Sequence, residues 1–120
     1  MESIANDDAP HYITPMEKQA AVECPVAQTL RVIGSSWTCL ILRDLLLHGP
    51  RRFQDFMDSL DGIASTTLSE RLKALEQNGI VGRRFYSMSP PRAEYMLTDK
   101  GRDLGPIVAA MRDWGTKYAS

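Results

Sequence analysis

Apolar residues between positions 24 and 120 recur at helical spacing in several separate blocks. The clearest block follows Ser65, which is suited to be the N-cap because a serine hydroxyl accepts from free amides of a first turn. Thr67 with Glu70 offers an alternative capping box, and Gly79 supplies the left-handed residue that ends a helix. The apolar side of this predicted helix carries Leu68, Leu72 and Leu75.

Directly after this helix the pattern changes to one that is typical of strands. The segments "IVGRRFYSM" and "AEYML" are rich in β-branched and aromatic residues. Between them, "SPPR" cannot continue a strand because proline lacks the amide that a β-ladder needs. The pattern predicts a two-stranded hairpin with an irregular tip.

Two helices are predicted upstream of this segment. The first begins at Pro25 and ends at Gly34, since proline is tolerated in a first turn and glycine is favoured at the end. The second has Ser35 or Ser36 as its cap and an apolar run over residues 37 to 47, which predicts a central core helix buried on most sides.

A short third helix is predicted from the segment "RRFQDFMDSLDG", and Asp61 and Gly62 form the turn that separates it from the helix after Ser65. Its apolar positions are Phe53, Phe56, Met57 and Leu60. Two consecutive helices joined by a tight turn, with a hairpin after them, predict a winged helix-turn-helix.

A C-terminal helix is predicted to begin with Thr98 as its cap and to carry an apolar stripe longer than one small domain needs. The residues of this stripe are Leu104, Ile107, Val108, Met111, Trp114 and Tyr118. We expect the stripe to pack against its copy in a second subunit, with help from the N-terminal segment. The alternative is ordinary packing onto the first helix.

These elements predict a mainly α fold with a small β-hairpin, a winged helix-turn-helix whose N- and C-terminal helices form a dimer interface. The chain has 120 residues, which is enough for one ordinary domain. Residues 1 to 23 are expected to be a mobile acidic tail with a short helix near residues 16 to 22, and residues 24 to 120 the folded domain.

The charge distribution is uneven. The whole chain has a net charge of −1, but residues 1 to 24 hold five acidic groups against one basic group, so the remainder has a net charge of +3. Residues 71 to 92 contain five basic residues and Glu76, a net charge of +4. Affinity for nucleic acid comes largely from phosphate neutralisation, so this local cationic surface keeps DNA as a partner despite the acidic total.

The side of the helix opposite the leucines is polar. It carries Thr66, Glu70, Lys73 and Gln77, with Thr67, Ser69 and Arg71 on its flanks. A solvated helix face is the ordinary interpretation of such a pattern. The neighbouring basic hairpin favours another one, because a helix fits the major groove of DNA and a basic hairpin beside it contacts phosphates or the minor groove.

No pattern of an enzyme, a metal site or a cofactor site is present. The sequence contains no GxSxG, no HExxH, no P-loop and no cysteine or histidine pair at metal-ligand spacing. It also has no signal peptide and no run of about 18 apolar residues. We expect a cytoplasmic protein without catalytic activity, metal or cofactor.

The segments "CPVAQTLRVIGSSWTCLILRDLL", "GPRRFQDF", "GIASTTLSERLKALEQNGIVGRR" and "PPRAEYMLTDKGRDLGPIVAAMRDWG" resemble the HxlR family of winged helix-turn-helix regulators over about residues 24 to 115. The segment "LSERLKALE" alone also fits the related MarR group. The resemblance implies a dimeric bacterial repressor or activator that binds a double-stranded DNA operator.

By position, the resemblance implies a set of DNA contacts on the helix and the hairpin. This set comprises Ser65, Thr66, Thr67, Ser69, Glu70, Arg71, Lys73, Arg83, Arg84 and Arg92. Arg71 reaches a phosphate in one interpretation and pairs internally in the other. Glu70 reads a cytosine, pairs with a neighbouring cation or caps the helix. Arg51 and Arg52 are further candidates for phosphate contacts.

Two cysteines in a cytosolic chain are expected to be free thiols. Cys39 lies in the apolar run and is expected to be inert core. Cys24 precedes Pro25 at a helix start, where free amides favour a thiolate, and it matches the N-terminal cysteine of redox-sensing HxlR-type regulators. The alternative for Cys24 is a packing role, and an unidentified small-molecule effector is an equally open signal. The alternative for the whole chain is a winged-helix protein-interaction module that does not bind DNA.

Overall fold

A computed structural model of the protein describes residues 24 to 119. The chain divides into two compact units, residues 1–32 and residues 33–120. In the first unit the described residues form most of helix α1 (Pro25–Ile33), which starts and stops as predicted. The acidic tail and the short helix predicted near residues 16 to 22 lie outside the described residues. Within residues 24 to 119, no helix is both long and apolar enough to cross a membrane.

The second unit is built around one central helix. Its elements are, in order, α2 (Ser36–His48), β1 (Arg51–Arg52), α3 (Phe53–Ser59), α4 (Ser65–Gln77), β2 (Val81–Met88), β3 (Pro91–Leu97), α5 (Asp99–Arg102) and α6 (Gly105–Tyr118). Helix α2 contacts α4, α6, β1 and β3, so its predicted central position is confirmed.

The core lies between α2, α3 and α4, and it contains the three leucines predicted to face inward from α4. Its most deeply buried apolar residues are Ile41, Leu42, Phe56, Leu60, Leu68, Leu72 and Leu75. The prediction that residues 37 to 47 are buried on most sides is wrong for one side of α2. Leu47 is 66% exposed, because α6 covers only part of that side.

The predicted hairpin is confirmed, but it belongs to a three-stranded antiparallel sheet of order β1-β3-β2. The short strand β1 pairs Arg51 with Tyr95 and Arg52 with Glu94. Two arginines carry no hydrophobic pattern, so this strand could not be predicted. The tip is shorter than "SPPR", because Pro91 already belongs to β3, and a first strand position does not require a ladder donor.

The caps of the helices are partly as predicted. Gly79 ends α4 with φ 72°, a left-handed conformation that favours glycine, as expected. The predicted Ser65 cap is wrong: α4 has Ala64 at its N-cap, without a side-chain cap. Ser65 is the first helical residue, so its hydroxyl is past the position from which a cap accepts.

The C-terminal segment forms two helices, where one was predicted. Thr98 caps the first of them as expected, since its hydroxyl accepts from the Gly101 amide at 3.1 Å. That helix, α5, ends at Arg102, and α6 begins at Gly105 with Pro106 in its first turn. Proline has no amide to donate and clashes with the preceding turn, so a single continuous helix is excluded there.

Candidate nucleic-acid interface

Helix α4 presents a polar face whose side chains have no internal partners. Thr66, Ser69, Glu70 and Lys73 are exposed and Thr67 is half-buried. Within residues 24 to 119, none of these five side chains makes a hydrogen bond or an ion pair. The predicted capping box of Thr67 with Glu70 and the pairing of Glu70 with Lys73 are therefore not formed. Every donor and acceptor on this face is free to bind another molecule.

The opposite face holds α4 rigidly against the core. Leu68, Leu72 and Leu75 are each at most 1% exposed. Arg71 adds a polar connection, because its Nε donates to Ser35 Oγ at 3.2 Å, at the start of α2. The guanidinium of Arg71 is thus engaged inside the protein, as one of the two interpretations expected, and a phosphate contact for it stays a prediction.

The hairpin formed by β2 and β3, here called the wing, carries arginines that are paired with carboxylates. Arg83 Nε lies 2.7 Å from Glu76 Oε2 at the end of α4. Arg84 pairs with Glu94, its direct partner across the β2–β3 ladder. Glu94 lies outside the window 71 to 92, so including it lowers the net charge from +4 to +3. Only the strand register identifies this neutralising partner.

The tip of the wing is different from its base. Arg92 is exposed, and it has no hydrogen bond or ion pair with any residue in the described range. Two prolines precede it, and Met88 beside them is 72% exposed. Of the three wing arginines, Arg92 is therefore the one whose guanidinium is available without first breaking an ion pair.

Strand β1 places two further arginines next to the wing, and their side chains point in opposite directions. The Arg52 guanidinium lies 4.5 Å from the centre of the Tyr86 ring, so it is held on the wing surface by a cation–π contact. Arg51 points inward: its side chain is 19% exposed, and its Nη2 donates to the Asp55 carbonyl at 3.2 Å. The Arg51 side chain is thus engaged in the interior, which does not favour the phosphate contact expected for it, and that contact stays a prediction.

Helix α6 leaves its predicted apolar stripe largely uncovered. Trp114 is 65% exposed, Tyr118 60% and Met111 49%, and the rings of Trp114 and Tyr118 are 5.2 Å apart. Ile107 is also exposed, whereas Leu104 and Val108 are half-buried. A groove of about 510 Å³ lies between α6 and α2, and Val108 and Met111 of the stripe belong to its lining. Exposed aromatic residues in a row are typical of an interaction surface.

Comparison with known proteins agrees with this geometry. The model of the HxlR-like helix-turn-helix family matches residues 32–120 of the chain. The chain belongs to the HxlR-like helix-turn-helix family. It is 40% identical over 95 residues to the HTH-type transcriptional regulator YdeP of Bacillus subtilis, covering 79% of this chain and 73% of YdeP. YtfH of Escherichia coli is 38% identical over 94 residues, covering 78% and 74%.

Solved structures extend the comparison to the fold of this HxlR-like chain. The redox regulator HypR in its oxidized form superimposes with a TM-score of 0.74 at 39% identity, over 81% of this chain and 99% of HypR. The reduced form of the transcriptional regulator YodB from B. subtilis gives a TM-score of 0.64 at 30% identity, over 91% and 97%. The expected family and winged-helix fold are confirmed.

The two cysteines of this HxlR-like chain lie in different surroundings. Cys24 is half-buried at the start of α1, and its Sγ accepts a hydrogen bond from the Ala27 amide at 3.4 Å. Cys39 is half-buried on the groove beside α6, so its expected core position is wrong. Its Sγ donates to the Ile33 carbonyl at 3.0 Å, and burial raises the pKa of the Cys39 thiol above its ordinary value. A raised pKa leaves less of the thiol as thiolate, which makes Cys39 a weaker nucleophile.

Proposed function

We propose that the protein is a dimeric, sequence-specific DNA-binding transcription regulator, with α4 in the major groove and the wing on the backbone or in the minor groove. The observation that carries this proposal is the row of unpartnered polar side chains on α4. A rigid helix that keeps donors and acceptors free on one face suits hydrogen bonding to base edges. The kinship with HTH-type transcriptional regulators supports the same conclusion.

The available side chains suggest a division of roles. Thr66, Thr67, Ser69, Glu70 and Lys73 are the base-reading residues of this proposal. Arg92 at the wing tip is the residue that clamps the backbone or enters the minor groove, and in either place its unpaired guanidinium neutralises phosphate charge. Arg83 and Arg84 contribute less than Arg92 to phosphate binding, because a carboxylate partner already neutralises the charge of each. Ser65 and Arg71 contribute at the edges of the helix.

Dimerisation follows from the uncovered stripe on α6. A second copy that packs against Trp114 and Met111 removes their apolar surface from water, and the N-terminal segment adds to this interface. Two recognition helices roughly 34 Å apart match successive turns of a palindromic operator. A single copy has only one such helix, so we expect it to bind an operator weakly.

The test is a binding titration with the DNA that flanks the gene of this protein, using fluorescence anisotropy at several salt concentrations. Lys73→Ala should change the preference among operator sequences. Arg92→Ala should weaken binding to all sequences and reduce the salt slope by about 1. Arg112→Ala removes the same charge from α6, where Arg112 pairs with its neighbour Asp113, and is the matched control. Affinity that is equal for operator and random DNA contradicts the proposal, and absence of salt-dependent binding favours a protein-interaction module.

A redox response through Cys24 is the second part of the proposal. Its support is the position of the thiol at the amide end of α1, together with the likeness to HypR, a redox regulator, and to YodB, which has been solved after diamide treatment. Diamide should abolish operator binding of the wild type and of Cys39→Ser, but not of Cys24→Ser. Equal loss of binding in the wild type and Cys24→Ser contradicts a sensor role.

A further inference from the structure

A buried carboxylate lies where the two DNA-facing parts of the second unit meet. Asp44 of α2 is 2% exposed, and the described part of the chain contains one other buried polar side chain, that of Thr38. The Ser59 hydroxyl donates to Asp44 Oδ2. Arg51 Nη2 lies 3.9 Å from the same oxygen, and Arg43 Nη2 lies 3.2 Å from Oδ1. We call these four residues the Asp44 cluster.

The partners of Asp44 belong to the elements that orient α4 and the wing. Ser59 is the last residue of α3, immediately before the turn that leads into α4. Arg51 is the first residue of β1, the strand that pairs with β3 of the wing. One carboxylate on the central helix therefore holds the helix-turn-helix through a hydrogen bond from Ser59, and attracts the base of the wing through the charge of Arg51, at 3.9 Å.

Arg51 strengthens the connection between α3 and the wing. Its Nη2 also donates to the Asp55 carbonyl of α3, and its backbone position is opposite Tyr95 of β3. The Tyr95 ring packs edge-on against Phe56 of α3, with ring centres 6.3 Å apart. Arg51 Nε is the buried side-chain nitrogen that has no hydrogen-bond partner within residues 24 to 119. A buried nitrogen without a partner requires an explanation, and the ion pair of the same guanidinium with Asp44 provides one.

We propose that Asp44 is a positioning residue that sets the geometry between α4 and the wing, and so controls operator specificity without contacting DNA. The inference rests on the proposed DNA-binding function. A buried ion pair contributes little net stability compared with apolar packing, but its directional bonds favour one arrangement of the elements it joins. Base-edge contacts require such an arrangement, whereas phosphate contacts carry no sequence information and tolerate small displacements.

Ser59 allows a matched test because threonine and valine have almost the same shape and differ in the hydroxyl. Ser59→Thr keeps the hydroxyl that donates to Asp44, and Ser59→Val removes it. Asp44→Asn keeps an acceptor for Ser59 but removes the charge that attracts Arg51. The measured quantity is the ratio of operator affinity to random-DNA affinity, recorded with the urea midpoint of each variant.

For Ser59→Val and Asp44→Asn we expect the ratio to fall by about tenfold, the order of one lost base contact, while random-DNA affinity and its salt slope stay unchanged. Ser59→Thr should keep the wild-type ratio. A parallel loss of operator affinity, random-DNA affinity and stability shows a merely structural role and overturns the proposal. A wild-type ratio in Ser59→Val overturns it as well.

Hydrogen exchange separates this proposal from the function on which it rests. In Ser59→Val, amides of the turn after Ser59 should exchange faster, and in Asp44→Asn those of β1 and β3 as well, while the buried leucine side of α4 keeps its protection. Unchanged exchange overturns the positioning role even when the wild type binds its operator. If the wild type shows no operator preference although the exchange changes as expected, the proposed function fails, and with it the control of specificity by Asp44.

Discussion

Substitution of Gly101 by alanine tests the packing where the wing meets the end of α4. A Cβ at this position would lie 2.2 Å from the Ile80 carbonyl oxygen and 3.0 Å from Leu97 Cδ2. The Ile80 oxygen cannot move freely, because it accepts from the Thr98 amide at 3.0 Å and shares the proton of the Thr98 hydroxyl with the Gly79 carbonyl oxygen, at 3.1 and 2.6 Å. The new methyl group must therefore displace backbone that is fixed by hydrogen bonds.

The expected magnitude follows from opposing effects. Alanine is favoured over glycine within a helix by about 0.5 to 1 kcal/mol. Against this, Cβ atoms essentially never approach another atom within 3.0 Å, so the backbone at Ile80 or α5 must shift by at least 0.8 Å. Overpacking of this kind costs about 1 to 3 kcal/mol, and each weakened hydrogen bond adds about 1 kcal/mol. We expect a net destabilisation of about 2 to 4 kcal/mol.

Urea unfolding measures this loss, at one fixed protein concentration because a dimer's stability depends on concentration. Gly82→Ala is the matched control, since its Cβ would meet only Thr98 Cγ2, at 4.0 Å. The control should be unchanged or slightly stabilised. A Gly101→Ala protein as stable as the wild type would refute the close approach of α5 to Ile80 and the wing position that depends on it.

Three further predictions concern the surface of α6, the thiols and Tyr95. Trp114→Ala should raise the dimer dissociation constant at least about 30-fold, as for a central aromatic interface residue. Arg112→Ala, whose side chain pairs with its neighbour Asp113, should stay near the wild type in sedimentation, and equal values for the two variants argue against this interface. Iodoacetamide should modify Cys24 faster than Cys39 in the native protein, because burial raises the pKa of Cys39. Mass spectrometry after partial labelling measures the order, and faster labelling of Cys39 would contradict the prediction. Burial raises the pKa of Cys39 above 9.0 and that of Tyr95 above 10.0, so the unfolded chain loses these protons first and stability falls as pH rises through 9.0 and 10.0. The urea midpoint is measured below and above pH 9.0. Its drop between these two pH values should be smaller in Cys39→Ala than in the wild type, and an equal drop would contradict the prediction.

Local patterns predicted most of the helices, because the spacing of apolar residues along a helix indicates which of its faces is buried. The leucines of α4 repeat at the helical period, and Gly79 is a residue suited to a left-handed end, so the helix and its buried face needed no tertiary information. The break between α5 and α6 also had a local signal in Pro106, which the long apolar stripe concealed.

The candidate site was less predictable, because its character depends on partners distant along the chain. The polar face of α4 could be identified from periodicity, but not that it lacks internal bonds. The wing arginines were correctly placed on the hairpin, yet Arg84 is neutralised by Glu94 only in the observed register. An aspartate within an apolar helix was a signal for the Asp44 cluster, although nothing in the sequence identified Ser59 and Arg51 as its partners.

The amino-acid order by itself determined the periodic faces, the turn residues, the basic hairpin and the family to which the chain belongs, because these depend on neighbours within a few positions. Only the tertiary structure decided which charges remain free, which arginine turns inward, and how β1 joins the wing to the central helix. The physical reason is that ion pairs and strand registers act over a few ångströms in space, and the chain brings together residues as distant in sequence as Asp44 and Ser59 only after the core has formed.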